Sequence, residues 1–483
     1  MVNVKQIIKQ NEHSQLEAKK SDGGVPNSLW ESYSAFANSF GGIILLGVSE
    51  IDGELKITGV KNIHKKIKSI WDILNNRQKI SVNILFERNI YIQKVDDKEV
   101  IVMEIPRADR HDRPVFINND LTNGTYRRNA EGDYRCSLSE IKAMLRDQSD
   151  IPIDSTVLEE IDITELNKES FTGYRNHFAS LKPEHLWNKL DDKEFLRKLG
   201  ALGRSESGVI KPTVAGLLMF GTEDVITRVF PDYFLDYREI YDSNRWTDRI
   251  VSNLGEWSGN IFDFFFKVAY RVVSDIKNPF KMRNAIVRES DTPIHKALRE
   301  IVANTIVHAD YYGRRGVVIE KRKNTIKFSN PGTFRLDIAV AESGGVSDPR
   351  NPTILKMFSM IDIVERAGSG LYNLFTIWDD LKLEKPVFET QLNPDRTILT
   401  VSIEGLSAVS SEYMGTTTEM EGTTIKTTTE MEGTTTENEK TTTETADTTI
   451  ENIGTTTETT TENEETTTET AGTTTETAGT TIE

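Results

Sequence analysis

The apolar positions change period twice within the first fifty residues. Leu29, Trp30, Tyr33, Phe36 and Ala37 recur at helical spacing, and Ser28 with Glu31 three residues on is a capping-box signature for the start of that helix. Asn38 and the Gly41-Gly42 pair close it, because glycine tolerates positive φ. Ile43 to Val48 is then a short apolar run bounded by glycines, which predicts a buried strand carrying Glu50 or Asp52 towards its end. If Leu16 to Lys19 is extended, Glu17 and Lys19 share a face. Glu12 and Glu17 cannot share a helical face, where they would sit roughly 140° apart, so a site built on both needs an irregular or strand-like backbone.

Residues 150 to 290 are plainer. Leu186 to Leu202 suggests a short helical pair, Lys211 to Gly221 a strand or a buried helix, and Trp257 to Val273 a helix. Beyond them, Thr292-Pro293 is an N-cap followed by Pro at the first helical position. Ile294, Leu298, Ile301, Val302 and Ile306 form that helix's apolar face, and Glu300, Asn304 and His308 form a polar stripe. Val317–Glu320 and Thr325–Ser329 read as a hairpin, followed by Asn330-Pro331-Gly332 as a turn. In VERAGSG, Gly368 and Gly370 allow a backbone to approach a phosphate and open a helix onto it.

Composition changes abruptly near Ser407. Residues 411–483 contain 33 Thr and carry a net charge of −15, so the remaining 410 residues are close to neutral at −2. A Thr/Glu tract of this kind cannot bury enough apolar surface to offset its ordering entropy, and disorder is expected there. The near-neutral body lacks the overall basic character of many nucleic-acid binders, but local clusters remain. Lys66 and Lys68 belong to one; Arg127, Arg128 and Arg135, interleaved with Tyr126 and Tyr134, form another suited to a phosphate-tracking groove. The single cysteine, Cys136, excludes an intramolecular disulfide and fits a reducing compartment. With no apolar leader in MVNVKQIIKQ and no apolar run of membrane-spanning length, a soluble cytoplasmic protein is expected.

Glu12, the E-x-K of Glu17 to Lys19, AFAN-x-x-GG and the following strand, with RPVFI (113–117) and GTYRR (124–128), together resemble the Schlafen AlbA-type domain over about residues 10–145. In the nuclease-active branch of that family three acids form a metal-dependent RNA-cleaving site. The resemblance carries the first two onto Glu12 and Glu17 and the third onto Glu50 or Asp52. Mg or Mn would be the metal, and Lys19 the contact to the scissile phosphate. Other members of the family are regulators that bind DNA.

ALREIVANTIVHADY, FSNPG and RNPTILKMF…VERAGSG together resemble the RecG C-terminal-like domain, a divergent relative of the GHKL ATP-binding fold, over about residues 205–400. That resemblance implies ATP as cofactor. It makes Glu300 the water-orienting acid, Asn304 a metal ligand and Gly368 and Gly370 the phosphate-side glycines; His308, Asn330 and Gly332 complete the nucleotide set. Two departures stand out. Asn330 replaces the adenine-reading Asp, and HADY, with Ala309, replaces HRDY. No G-x-x-x-x-G-K-[ST] occurs, so a P-loop helicase motor is excluded.

The expected fold is α+β: an N-terminal α/β Schlafen AlbA-type domain (1–150), a connecting scaffold (151–290), a GHKL-like α/β sandwich (291–405) and a disordered acidic tail (406–483). The expected function is a prokaryotic nucleic-acid-binding, ATP-binding regulator acting on RNA or DNA, in transcriptional control or defence. Its alternatives are a metal-dependent endoribonuclease on structured RNA such as tRNA, and a non-catalytic DNA-binding regulator. Similar domains pair, so a homodimer is the expected assembly.

Overall fold

The computed structural model describes residues 2–10, 14–21, 23–52, 54–241, 246–274, 276, 282–283, 287–288, 292–336, 338–364 and 370–406. Glu12, Gly368 and the Thr/Glu tract lie outside them. The chain is α+β. No helix among the described residues is long and apolar enough to cross a membrane.

The N-terminal sheet has the order Leu16–Lys19, Gly42–Leu46, Lys98–Ile105, Ile90–Val95. The first pair is parallel and the others antiparallel. Both sheet faces are covered, which explains the unbroken apolar run. Ile44, Leu46, Ile101 and Met103 join Leu29, Tyr33 and Phe36 of the Ser28–Asn38 helix on one side. Leu16, Leu45, Val100 and Val102 join Val4 and Val48 on the other. The double glycine is required by close approach. A Cβ on Gly41, at φ +74°, would lie 2.8 Å from the Ile105 carbonyl, and one on Gly42 would lie 2.5 Å from the Phe36 ring. The expected capping box does not form: Ser28 is already helical, Asn27 precedes it without a side-chain cap, and Leu29 N donates to the Pro26 carbonyl.

Asn38, the last letter of AFAN, holds the domain's two other motifs together. Its Nδ2 donates to the carbonyls of Val115 (2.8 Å) and Tyr126 (3.0 Å), and its Oδ1 accepts from Val115 N (2.8 Å). One buried amide thus joins RPVFI to GTYRR.

The second sheet has six strands, in the order Asp248–Val251, Leu235–Ile240, Val317–Arg322, Thr325–Pro331, Arg396–Ser402, Val387–Gln391. Only the Leu235–Ile240 and Val317–Arg322 pair is parallel. The Pro293–Val307 helix packs between the helices Ile261–Val273 and Gly370–Asp380. The boundary expected at residue 291 therefore falls inside this domain, since the segment read as scaffold supplies two of its strands and one of its helices. Thr292 caps the central helix as expected, accepting from His295 N. Lys211–Gly221 divides into a short strand and a helix, Val214–Phe220, in which all seven residues are buried.

A charged seam joins the two domains. From the N-terminal side, Arg127 grips Asp395 with two bonds (2.5 and 2.9 Å), Arg146 meets Asp310 (2.7 Å), Arg110 meets Asp348 (2.8 Å), and Arg107 donates to Thr333 Oγ1 (3.2 Å). Asp147, at the end of the Leu138–Gln148 helix, accepts from both Arg335 (2.9 and 3.2 Å) and Arg350 (2.8 and 2.9 Å). Burial alone would raise the Asp147 pKa, but the charges and hydrogen bonds of the two arginines outweigh it and hold the carboxyl well below its usual range.

Two outcomes follow from these contacts. Asn38→Ala strands the Tyr126 carbonyl and the Val115 N–H in the interior, the Val115 carbonyl keeping Ser34 Oγ (2.7 Å), and should cost about 2 kcal/mol in urea unfolding. Asp147→Asn should cost about 3 kcal/mol near neutral pH, because two buried guanidinium groups lose their shared anion. The Asp147 pKa is depressed in the folded state, so its contribution is complete above the unfolded carboxyl value of 3.8 and is lost as pH falls through the folded value. Urea titrations across pH should accordingly find the gap between wild type and Asp147→Asn widest near pH 6 and closing towards about pH 2.

Candidate nucleotide cleft and the Glu17 cluster

The C-terminal domain contains a cleft of about 960 Å³, open water included, between its central helix and its sheet. The expected stripe lines it: Glu300 and Asn304 from the Pro293–Val307 helix and His308 just beyond its end. Gly370, at the start of the Gly370–Asp380 helix, lies against the first two. A Cβ there would be 2.5 Å from Glu300 Oε1 and 2.9 Å from Asn304 Nδ2. The side-chain amide of Asn304 makes no hydrogen bond to any described residue and faces the cleft. Burial, reinforced by the positive charges of Arg350 and Arg335, pushes the His308 pKa down to about 4, so its imidazole is neutral near pH 7.

Asn330 lines the opposite wall. Its Nδ2 donates to the carbonyls of His308 (3.3 Å) and Pro331 (3.1 Å), which leaves Oδ1 as an acceptor with no donor among the described residues. The replacement of Asp by Asn therefore keeps an acceptor at the wall and removes a charge. Gly332, expected against the nucleotide, serves a neighbouring purpose: at φ +95° it lies under the Arg350 guanidinium, where a Cβ would be 2.7 Å from Nη1.

Arg335, Arg350, Thr333 and Thr397 also line the cleft and were not among the residues singled out from the sequence. Arg350 Nη1 donates to the His308 carbonyl (2.6 Å) and Nη2 to the Thr333 carbonyl (3.1 Å), while Thr397 Oγ1 donates to the Gly332 carbonyl (2.9 Å). The RNP of Arg350 to Pro352 belongs to a motif that carries the RecG C-terminal-like resemblance, but Arg335 and Asp147 carry no local signal. Their pairing spans 188 residues and depends on the domains meeting.

In the N-terminal domain the Leu16–Lys19 segment is a strand, so Glu17 and Lys19 do share a face. Glu17 is not open there. Its Oε1 accepts from Lys19 Nζ (2.8 Å) and its Oε2 from Arg128 Nη1 (2.7 Å). Arg128 Nη1 also meets Asp133 Oδ1 (2.9 Å), and Ser32 Oγ donates to Asp133 Oδ2 (2.6 Å). A hard divalent cation needs free carboxylate oxygens, and this pairing does not fit one at Glu17. Glu50 and Asp52 are exposed on the hairpin of Val48–Ile51 and Glu54–Ile57, Asp52 at φ +57° within 3.9 Å of Lys56. No group of three metal-ligating side chains occurs among the described residues, which do not include Glu12.

The expected basic groove changes membership. Arg127 and Arg128 are buried in ion pairs, and Lys66 is buried with its ammonium on Ser21. Lys68 and Arg135 remain exposed. Arg135 donates to the Tyr126 hydroxyl (3.4 Å).

Comparison with known proteins bears on all three parts. The Schlafen, AlbA_2 family model matches residues 12–137. The model described as "Putative ATP-dependent DNA helicase recG C-terminal" matches residues 315–399. A domain of unknown function, DUF8451, matches residues 142–236, across the seam helix and the segment after it. Comparison with curated proteins returns no match. Among solved structures, the DIP2311 protein of Corynebacterium diphtheriae is 17% identical, covering 80% of this chain and 75% of its own, with a TM-score of 0.40. The N-terminal domain of a RecG-related protein from Nitrosomonas europaea is 25% identical, covering 29% of this chain and 95% of its own, with a TM-score of 0.23. At those scores neither likeness carries an argument. The family models suffice: this chain joins a Schlafen AlbA_2 domain to a RecG C-terminal-like domain.

Proposed function

We propose that the chain is a nucleic-acid-binding regulator whose C-terminal domain binds an adenine nucleotide. Its two family domains both point to nucleic-acid-related work. The observation that carries the nucleotide half is the cleft itself. Asn304 and Gly370 stand at one end, where phosphates and their Mg²⁺ would lie, and the Asn330 acceptor stands on the opposite wall, suited to an exocyclic amine of the base. When bound, the nucleotide would supply charge at the first end, which Glu300 and Asn304 line.

Binding without cleavage is favoured over the nuclease alternative by the state of Glu17. Both carboxylate oxygens are held by cations, and Arg128 is itself almost fully buried. The protein engages RNA or DNA through what stays exposed on the N-terminal domain, including Lys68 and Arg135.

Two measurements test this reading. Titration of the full chain with ATP and GTP in the presence of Mg²⁺ should give saturable binding with ATP preferred. Asn330→Leu should weaken ATP binding by roughly 10- to 100-fold, the worth of one hydrogen bond in a dry site, whereas Asn330→Asp should retain it. No binding of either nucleotide would retire the nucleotide assignment. A denaturing-gel assay with end-labelled tRNA, single-stranded DNA and duplex DNA, with Mn²⁺ or EDTA, should leave the substrates intact while a native gel retards them. Discrete Mn²⁺-dependent products that vanish in Glu12→Ala/Glu17→Ala would instead establish the nuclease.

A further inference from the structure

Arg127 and Arg128 are adjacent on one strand, Tyr126–Asn129, and neighbouring strand residues point to opposite faces. Arg127 crosses the seam to Asp395 and also reaches Glu140 (3.3 Å). Arg128 turns the other way, to Glu17 and Asp133. Both guanidinium groups are buried, so neither can swing independently of the backbone that carries them. Asp395 belongs to the cleft's frame. Its carbonyl accepts from Gly332 N (2.9 Å), and Thr397, two residues on, lines the cleft.

We infer that the Tyr126–Asn129 strand is a lever between the two sites: held by Asp395 beside the cleft, it keeps Arg128 on Glu17 and so masks the pair. Released from Asp395, the strand shifts and the Arg128–Glu17 contact loosens. Parting them removes one of the two carboxylates that hold Arg128, Asp133 remaining, and lets a nucleic-acid phosphate take the place of Glu17 on the guanidinium. The masking contact is thus autoinhibitory for the N-terminal face. The proposed nucleotide reading enters only as the ligand that moves Asp395; the mechanical link stands on the ion pairs alone.

The test is a double-mutant cycle on the full chain, followed by urea unfolding, with wild type, Asp395→Asn, Glu17→Gln and the double variant. The two carboxylates share no partner, so independent sites should add. The lever predicts that Glu17→Gln costs less once Asp395 is neutralised, by at least a threefold difference in the unfolding constant. Additive effects overturn it. Native-state hydrogen exchange on Asp395→Asn is a second readout that needs no double variant. The Arg128 amide donates to Ser39 Oγ (2.9 Å) and should exchange at least threefold faster than in wild type, and unchanged exchange there also overturns the lever. A chain that binds no nucleotide but couples in the cycle would fail the proposed function and keep the lever, so the two failures are distinguishable.

Discussion

The molecule turns on one carboxylate. Asp147 takes four hydrogen bonds from Arg335 and Arg350, both of which line the cleft, while its own helix belongs to the N-terminal side. Without it Arg350 and Arg335 would lose their shared anion in a part of the seam that also holds Arg107 and Arg113. Burial, and then the neighbouring charges of Arg113 and Arg127, push Arg107 down to about 9. Arg113, 2% exposed, has Nε and Nη2 without a hydrogen-bond partner among the described residues. A shared anion at this point turns repulsion into a directional clasp, and the planar fork of arginine fixes its geometry.

A polar seam has different consequences from an apolar one. Hydrophobic burial is non-directional and tolerates sliding, whereas charges taken out of water roughly break even when paired in register and are costly out of it. Register therefore matters more here than area, and the groups that set it lie where the cleft and the N-terminal domain meet.

Elements with a strong local period were legible in the sequence. The helices at 28–38, 261–273 and 293–307 lie where their apolar stripes put them, the Thr292 cap forms as expected, and Leu16–Lys19 is the strand that its sequence allowed. What failed was long-range. The boundary at 291 was misread because Leu235–Ile240 pairs in parallel with Val317–Arg322 far along the chain, and nothing in either segment announces the other. Arg127 and Arg128 read as part of a phosphate-tracking groove because two of the acids that hold them, Asp395 and Glu17, lie 268 and 111 residues away. Ser28 carried a capping signature, but Pro26 had already begun the turn. Local chemistry predicted the stripe Glu300, Asn304 and His308; only the fold could supply Arg335 and Arg350 beside it.

The substitution of Asn330 for an acid is best understood together with those arginines. An aspartate there would stand near the His308 carbonyl and the Arg350 guanidinium, both held by the same short network. It would compete with Asp147 for Arg350 and weaken the seam. Asparagine avoids the competition. Its amide satisfies two carbonyls, its oxygen keeps the acceptor, and Arg350 stays committed to Asp147. Gly332 completes the arrangement by leaving room for the guanidinium to lie flat. A ligand can bias two arrangements only through a difference in its affinity for them. Arg350 is where such a difference can arise, because it lines the cleft and holds the seam with the same group of atoms.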